Sequence, residues 1–262
     1  MNLVPGYRAL RLLRNGEATA VYDAWSEERG CRCVLKVLRP RRAGRDGERA
    51  LEAEGRLLLA LSHPHIVRAY ALVRRPRVAL VLETLPGETL SHLLGRRRRR
   101  LAAADVAQLG LQLASALRYL HQAGMLHLDL KPSNVVCHAG LAKLLDLGIA
   151  RSPGPGRRGV GTAGYLAPEQ ARGGALTAAT DVFGLGGVLY EASTGRAAFD
   201  AAPRHRTQRA GPARPVSAER RLPPLLAHAI DASLSLDQAA RPSLDELARA
   251  LAAAAGPSRR AR

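Results

Sequence analysis

Cysteine is scarce in this chain: three in 262 residues, Cys31, Cys33 and Cys137. Three thiols cannot build a disulfide framework, and a lone C-x-C without a second Cys or His pair at matching spacing is poor support for a metal. They read as small buried apolar residues. No apolar run approaches the roughly 20 residues that cross a bilayer, and neither end shows a positively charged leader followed by an apolar core. A soluble, cytoplasmic protein is the expectation. Aromatic residues make up 3% of the chain, with two Phe and one Trp, which leaves little stacking surface for single-stranded nucleic acid.

Lysine is nearly missing too. Of 40 basic residues 37 are arginine, and only Lys36, Lys131 and Lys143 remain as lysine. The net charge of +18 would ordinarily point to a polyanion, an anionic membrane or an acidic partner. A general drift towards Arg and Ala produces the same imbalance without any such partner. The surviving lysines are then informative, because a compact ammonium is not interchangeable with a planar guanidinium. With 47% apolar and 24% charged residues, the chain has the composition of a folded domain, long enough for one large domain or two lobes.

Short runs rich in Val, Leu and Tyr from Tyr7 to Leu38, broken by NGE and ERG, predict antiparallel strands joined by turns. Residues 47–61 place Leu51, Glu54, Leu58 and Leu61 at helical spacing, although Gly55 costs about 1 kcal/mol there relative to Ala. RVALVLETL, residues 77–85, reads as a buried strand before a PGE turn. Val106, Leu109, Leu113, Leu117 and Leu120 mark an amphipathic helix from Ala104 to His121 that stops at Gly124. A last helix opens on a Ser243–Glu246 capping box and ends at Gly256-Pro257. Strands dominate the first third and helices the rest. The fold class is therefore α+β, with a small antiparallel-sheet lobe over residues 1–85, a hinge near Glu83 to Gly87, a mainly helical lobe over 86–256, and a basic tail at 257–262. The arginine-rich stretches 95–100 and 203–221 lack periodicity and should be exposed loops.

Four polar sets stand in order along the chain: Lys36 in VLKVL at a strand end, Glu54 on the next helix, HLDLKPSN at 127–134, and DLG at 146–148. Phosphoryl transfer needs cations on phosphates, oxygen ligands for a divalent ion, and a base near the acceptor hydroxyl. This set supplies each. Together with GTAGYLAPE at 161–169, DVFGLG at 181–186 and Arg241 in ARPS, it resembles the eukaryotic-type protein serine/threonine kinase family in its bacterial style, from about Tyr7 to Leu251. Any one motif is weak alone; the ordered set is not coincidence.

The resemblance implies a two-lobed protein-kinase-like fold and a set of roles. Lys36, steadied by Glu54, would hold the ATP phosphates; Asn134 and Asp146 would ligate Mg²⁺ or Mn²⁺; Asp129 would be the base, with Lys131 beside the transferred phosphate. Gly16 in the phosphate-covering loop, Val21 and Val34 above the adenine ring, Val136 below it, and Leu82, Glu83 and Leu85 at the hinge would line the nucleotide site. Thr162 would face the catalytic loop, Glu169 would pair with Arg241, and Asp181 would anchor the loop from below. His63, His65 and His127 fit structural roles better than metal or base roles.

Three departures matter. Where the family has G-x-G-x-x-G, this chain has Arg14, Gly16 and Thr19, so the loop should be stiffer and nucleotide binding weaker without metal. The interval from Asp181 to Arg241 is short for the family. Leu128 stands where most regulated members carry an arginine that meets a phosphate on the activation loop. The implied function is a protein kinase that phosphorylates Ser/Thr of protein substrates without activation-loop phosphorylation control. Its rivals are a nucleotide-binding pseudokinase scaffold, against which the retained Asp129 speaks, and a polyanion-binding protein, against which the few aromatics speak. The arginine-rich loops are candidate contacts for an acidic partner.

Overall fold

The computed structural model describes residues 2–97, 100–199 and 211–255. The proposed basic tail at 257–262, Arg98 and Arg99, and residues 203–210 of the second arginine-rich stretch lie outside them. Two compact units emerge: Met1–Pro86 together with Asp146–Gly148, and Gly87–Leu145 together with Ile149–Arg262. No helix among the described residues is long and apolar enough to cross a membrane.

The first unit is a six-stranded antiparallel sheet and one helix. In chain order it runs β1 (Asn2–Val4), β2 (Tyr7–Asn15), β3 (Thr19–Ser26), β4 (Cys31–Leu38), α1 (Pro40–Ala60), β5 (Ala69–Val73) and β6 (Ala79–Glu83), with spatial order β1-β2-β3-β4-β6-β5. Period-two alternation sorts β4 into two faces. Cys33, Leu35 and Val37 join Val4, Tyr7, Ala24, Ala79 and Val81 in a buried cluster, each fully buried aliphatic side chain contributing about 1.5–3 kcal/mol. Val34 and Lys36 take the other face. Their cross-strand partners are Asp23 and Val21 on β3, and Leu82 and Leu80 on β6.

α1 departs from helical geometry at Gly44, and its regular part coincides with the predicted 47–61 segment. Gly55 has a packing reason: a Cβ there would lie 2.8 Å from Leu72 Cδ1 on β5, so the helix propensity it sacrifices lets helix and sheet approach. Cys31 corrects one expectation. It is exposed, whereas Cys33 is buried and Cys137 half-buried, because it opens β4 at the tip of the hairpin.

The second unit starts with β7 (Glu88–Thr89), α2 (Leu90–Arg97) and α3 (Ala103–Gln122), then β8 (Val135–His138) and β9 (Leu141–Leu144), which pair with β7 in a three-stranded sheet. β10 (Gly154–Pro155), α4 (Pro168–Arg172), β11 (Ala175–Leu176), α5 (Ala178–Thr194), α6 (Val216–Glu219), α7 (Pro224–Ser233) and α8 (Leu244–Ala255) follow. α3 packs on α5 and α8, and α7 on both of those. Leu113, Leu117 and Leu120 of α3 are fully buried, as are Leu185 and Leu189 of α5 and Leu251 of α8. Gly110 permits the α3–α8 approach, since a Cβ there would lie 2.7 Å from Leu251 Cδ1. The α8 capping box forms as predicted: Ser243 N–H donates to Glu246 (2.8 Å) and Glu246 N–H to Ser243 Oγ (3.2 Å).

The stretch 203–221 is not wholly an exposed loop. Within its described part, α6 buries Val216 completely, and Val216 N–H donates to Asp231 at 2.8 Å. Arg220 donates to the carbonyls of Leu101 and Ser193. One valine among arginines carries no periodic signal, so the helix was invisible in the pattern.

Candidate active site

The candidate residues form two groups, each inside one unit. In the first, β4 delivers Lys36 and α1 delivers Glu54. Lys36 Nζ lies 2.8 Å from both Glu54 carboxylate oxygens and 2.8 Å from Asp146 Oδ1. Glu54 is 4% exposed. Burial works against the Lys36 charge, but Glu54 and Asp146 outweigh it and push the ammonium's pKa up. Burial raises that of Glu54, with Lys36 opposing. Removing Lys36 would leave the buried Glu54 carboxylate without its cation.

Asp146 adopts a left-handed backbone, φ 53°, costly for a residue with a Cβ. Gly148 N–H donates to Asp146 Oδ1 at 3.2 Å. A Cβ on Gly148 would lie 3.0 Å from that oxygen and 3.5 Å from Glu54 Oε2, so the glycine of DLG is needed beside two carboxylates. Around Lys36, cross-strand pairing puts Val21, Val34 and Leu82 on its own face of the sheet, all half-buried. Glu83 ends β6, and its carboxylate accepts from Arg68 N–H at 2.8 Å; Leu85 follows, half-buried. Gly16 turns the chain between β2 and β3, where a Cβ would meet the Thr19 carbonyl oxygen at 2.8 Å. Arg39, which sequence reasoning missed, donates to the Gly16 carbonyl (3.1 Å) and to the Asn15 side chain.

In the second group Asp129 is the hub. Its carboxylate accepts from Thr162 Oγ1 (2.6 Å), Lys131 Nζ (2.7 Å) and Asn134 Nδ2 (3.1 Å). Lys131 also donates to Thr162 Oγ1 at 2.5 Å. The Asn134 amide nitrogen donates to the Asp129 carbonyl as well, at 3.0 Å, which orients its amide oxygen away from the loop's own acceptors. Val136, two residues on, is half-buried on β8 opposite Thr89 and Lys143.

A buried scaffold holds this loop. Asp181, near the start of α5, accepts from the N–H groups of His127 (2.8 Å) and Leu128 (2.7 Å), and from His121 Nε2 (2.8 Å). Asp129 N–H donates to His127 Nδ1 (3.2 Å), so the ring proton sits on Nε2 and points at the Leu145 carbonyl, 3.3 Å away. His127 is thereby a positioning group, fully buried. Leu128 is held at φ 66°, with Gln170 Nε2 donating to its carbonyl at 2.8 Å. Its side chain packs with Leu126, Leu176 and Ile149. Gly184 on α5 lets Leu130 approach; a Cβ there would be 3.1 Å from that of Leu130.

Glu169 and Arg241 form a bidentate buried pair at 2.7 and 2.9 Å, and the guanidinium also stacks over Phe183. His63 and His65 sit in a turn, where His65 N–H donates to His63 Nδ1. His121 and Gln170 escaped sequence reasoning because their partners lie 60 and 42 residues away.

Residues 7–251 match the family model described as the protein kinase domain. The chain is similar to serine/threonine-protein kinase PkaA of Streptomyces coelicolor, 36% identical over 254 residues that cover 91% of this chain and 46% of the relative. It is 35% identical to serine/threonine-protein kinase PknA of Mycobacterium tuberculosis over 74% of this chain and 48% of that protein. With serine/threonine-protein kinase PrkC of Bacillus subtilis it shares 33% identity over 74% of this chain and 31% of the relative. The chain thus spans less than half the length of these relatives.

Proposed function

The chain belongs to the protein kinase family, and on that premise we propose that it transfers the γ-phosphoryl group of ATP to Ser or Thr hydroxyls of proteins. The observation that carries this reading is the Asp129 carboxylate, 2.6 Å from a threonine hydroxyl and 2.7 Å from the Lys131 ammonium. That is a base with a hydroxyl proton in reach, next to a cation for the charge that develops on phosphate. In the reaction, the acceptor O–H proton passes to Asp129, an O–P bond forms, and the bond from γ-phosphorus to the bridging oxygen breaks to leave ADP. Lys36, kept charged by its two carboxylates, would hold phosphate oxygens of the nucleotide, with Val21, Val34, Leu82, Glu83, Leu85 and Val136 against the base and Gly16 over the phosphates.

By donor chemistry the Asp146 carboxylate and the Asn134 amide oxygen would each suit a hard divalent cation, Mg²⁺ or Mn²⁺, taken alongside phosphate oxygens. Such an ion would offset negative charge on the phosphates. Among the described residues no group of three or more His, Cys, Asp or Glu side chains is arranged to hold a metal.

A pseudokinase scaffold has no need of Asp129 and Lys131. Purified protein with labelled ATP and Mg²⁺ or Mn²⁺ should phosphorylate itself or a generic protein. Lys36→Met and Asp129→Asn should each lower transfer by about 10²-fold or more while the protein still melts cooperatively. Parental activity in both variants would favour the scaffold.

A further inference from the structure

We propose that the surface beside the acceptor position selects acidic stretches of substrate through Arg157, Arg158 and Arg172; this inference rests on the kinase reading above. Between Asp146 and Glu169 the chain has no acidic residue, yet it has Arg151, Arg157 and Arg158. Arg157 and Arg158 are exposed, and so is Arg172 at the end of α4. The backbone gathers them. A Cβ on Gly173, directly after Arg172, would lie 3.2 Å from Arg158 N and 3.5 Å from its Cα and Cβ, and Gly159 N–H donates to the Gln170 carbonyl at 2.9 Å.

The cluster is distinguished by its place, three guanidinium-bearing residues gathered by the backbone on the segment that carries Thr162. Some arginines elsewhere find carboxylates, Arg32 with Asp23, Arg56 with Glu52, Arg118 with Asp245 and Arg214 with Glu219. Among the described residues, Arg157, Arg158 and Arg172 pair with no carboxylate. Arg158 lies four positions before Thr162, which is bonded to Asp129, and four steps of chain span at most about 14 Å. An extended substrate rising about 3.3 Å per residue therefore brings side chains three or four positions from its acceptor into range of these guanidiniums.

For the opposite preference, three nearby carboxylates among the described residues are already engaged or buried. Glu169 is locked to Arg241, and Asp181 is buried under the loop. Glu191 accepts from the Tyr165 hydroxyl, and burial pushes its pKa up, with the Tyr165 hydrogen bond opposing.

The test uses three peptides with one common Ser/Thr acceptor and flanks of Asp/Glu, Ala or Lys/Arg, comparing kcat/KM at low ionic strength. The acidic peptide should exceed the neutral one by roughly tenfold, mostly through KM, and the ratio should shrink with added salt, as expected for several exposed ion pairs. The Arg157→Ala/Arg158→Ala/Arg172→Ala protein should bring the ratio to about twofold or less, and the corresponding Lys variant should restore most of it. Equal rates on all three peptides would overturn the inference and leave the kinase reading standing. A preference for the basic peptide, abolished by Glu191→Gln, would overturn it in favour of Glu191. Transfer to none of the three would remove the kinase reading and the inference with it.

Discussion

Arg241 shows how much one side chain can carry. Its guanidinium is fully buried, bridges Glu169 in two bonds, and also donates to the carbonyls of Ser235 and Ala179. Arg241→Met would strand the Glu169 carboxylate in the interior, and we expect a loss of about 3–5 kcal/mol in stability, measured by chemical denaturation. Burial alone would raise the pKa of Glu169, but Arg241 outweighs it and holds the value below 4.5. The pair's contribution is therefore present above pH 4.5 and is lost as pH falls through the lower folded pKa. Glu169→Gln should flatten the acid limb of the stability profile; an unchanged limb would contradict the assignment. Both residues were legible in the sequence as parts of APE and ARPS. The hydrogen bonds of His121, Gln170 and Arg39 were not, because each joins segments far apart in the chain and leaves no local spacing to read. Cys31 was misjudged for a related reason: residue type suggests burial, but position at a hairpin tip decides it.

At the scale of elements, the segment after DLG is held by the backbone. Gly154 and Pro155 of β10 pair with Leu176 and Ala175 of β11. Leu126 and Arg151 exchange two hydrogen bonds, 2.8 and 3.1 Å, and Gly156 N–H donates to the Gly174 carbonyl at 2.8 Å. Gln170 Nε2 links the carbonyls of Leu128 and Val160. Where a phosphate and an arginine would otherwise order such a segment, here Leu128 packs on Leu126, Ile149 and Leu176. Ser152, the one hydroxyl between Gly148 and Gly161, lies 3.9 Å from Met125 Sδ. Phosphatase-treated protein and Ser152→Ala should each keep activity within about threefold of the untreated parent, less than 1 kcal/mol in barrier. A tenfold loss restored by phosphorylation would contradict this. The strands and long helices were readable from their periodicity; α6 and β10 were not, being too short to show one.

For the whole molecule, the proposed roles of Lys36, Asp146 and Asn134 lead us to expect nucleotide binding that leans on metal. The turn proposed to cover the phosphates retains Gly16 but carries exposed Arg14 where the family has a glycine, so its backbone amides alone would offer phosphate less. ATP with Mg²⁺ should raise the melting temperature more than ATP or Mg²⁺ alone, and Asp146→Asn should remove most of the difference. Identical shifts with and without metal would count against the roles of Asp146 and Asn134.

The first unit also draws on a distant piece of chain, because Asp146 meets Lys36 from 110 residues away. A ribosome adds about 5–20 residues per second, so on a nascent chain Lys36 and Glu54 wait on the order of ten seconds for their third partner. During that interval the sheet holds an incomplete buried charge cluster and should be open to proteases and chaperones. Stalled chains that expose residues through Gly87 should be cut readily within the first unit, whereas chains that expose residues through Thr194 should resist. Equal resistance at both lengths would show that the sheet matures without its late carboxylate.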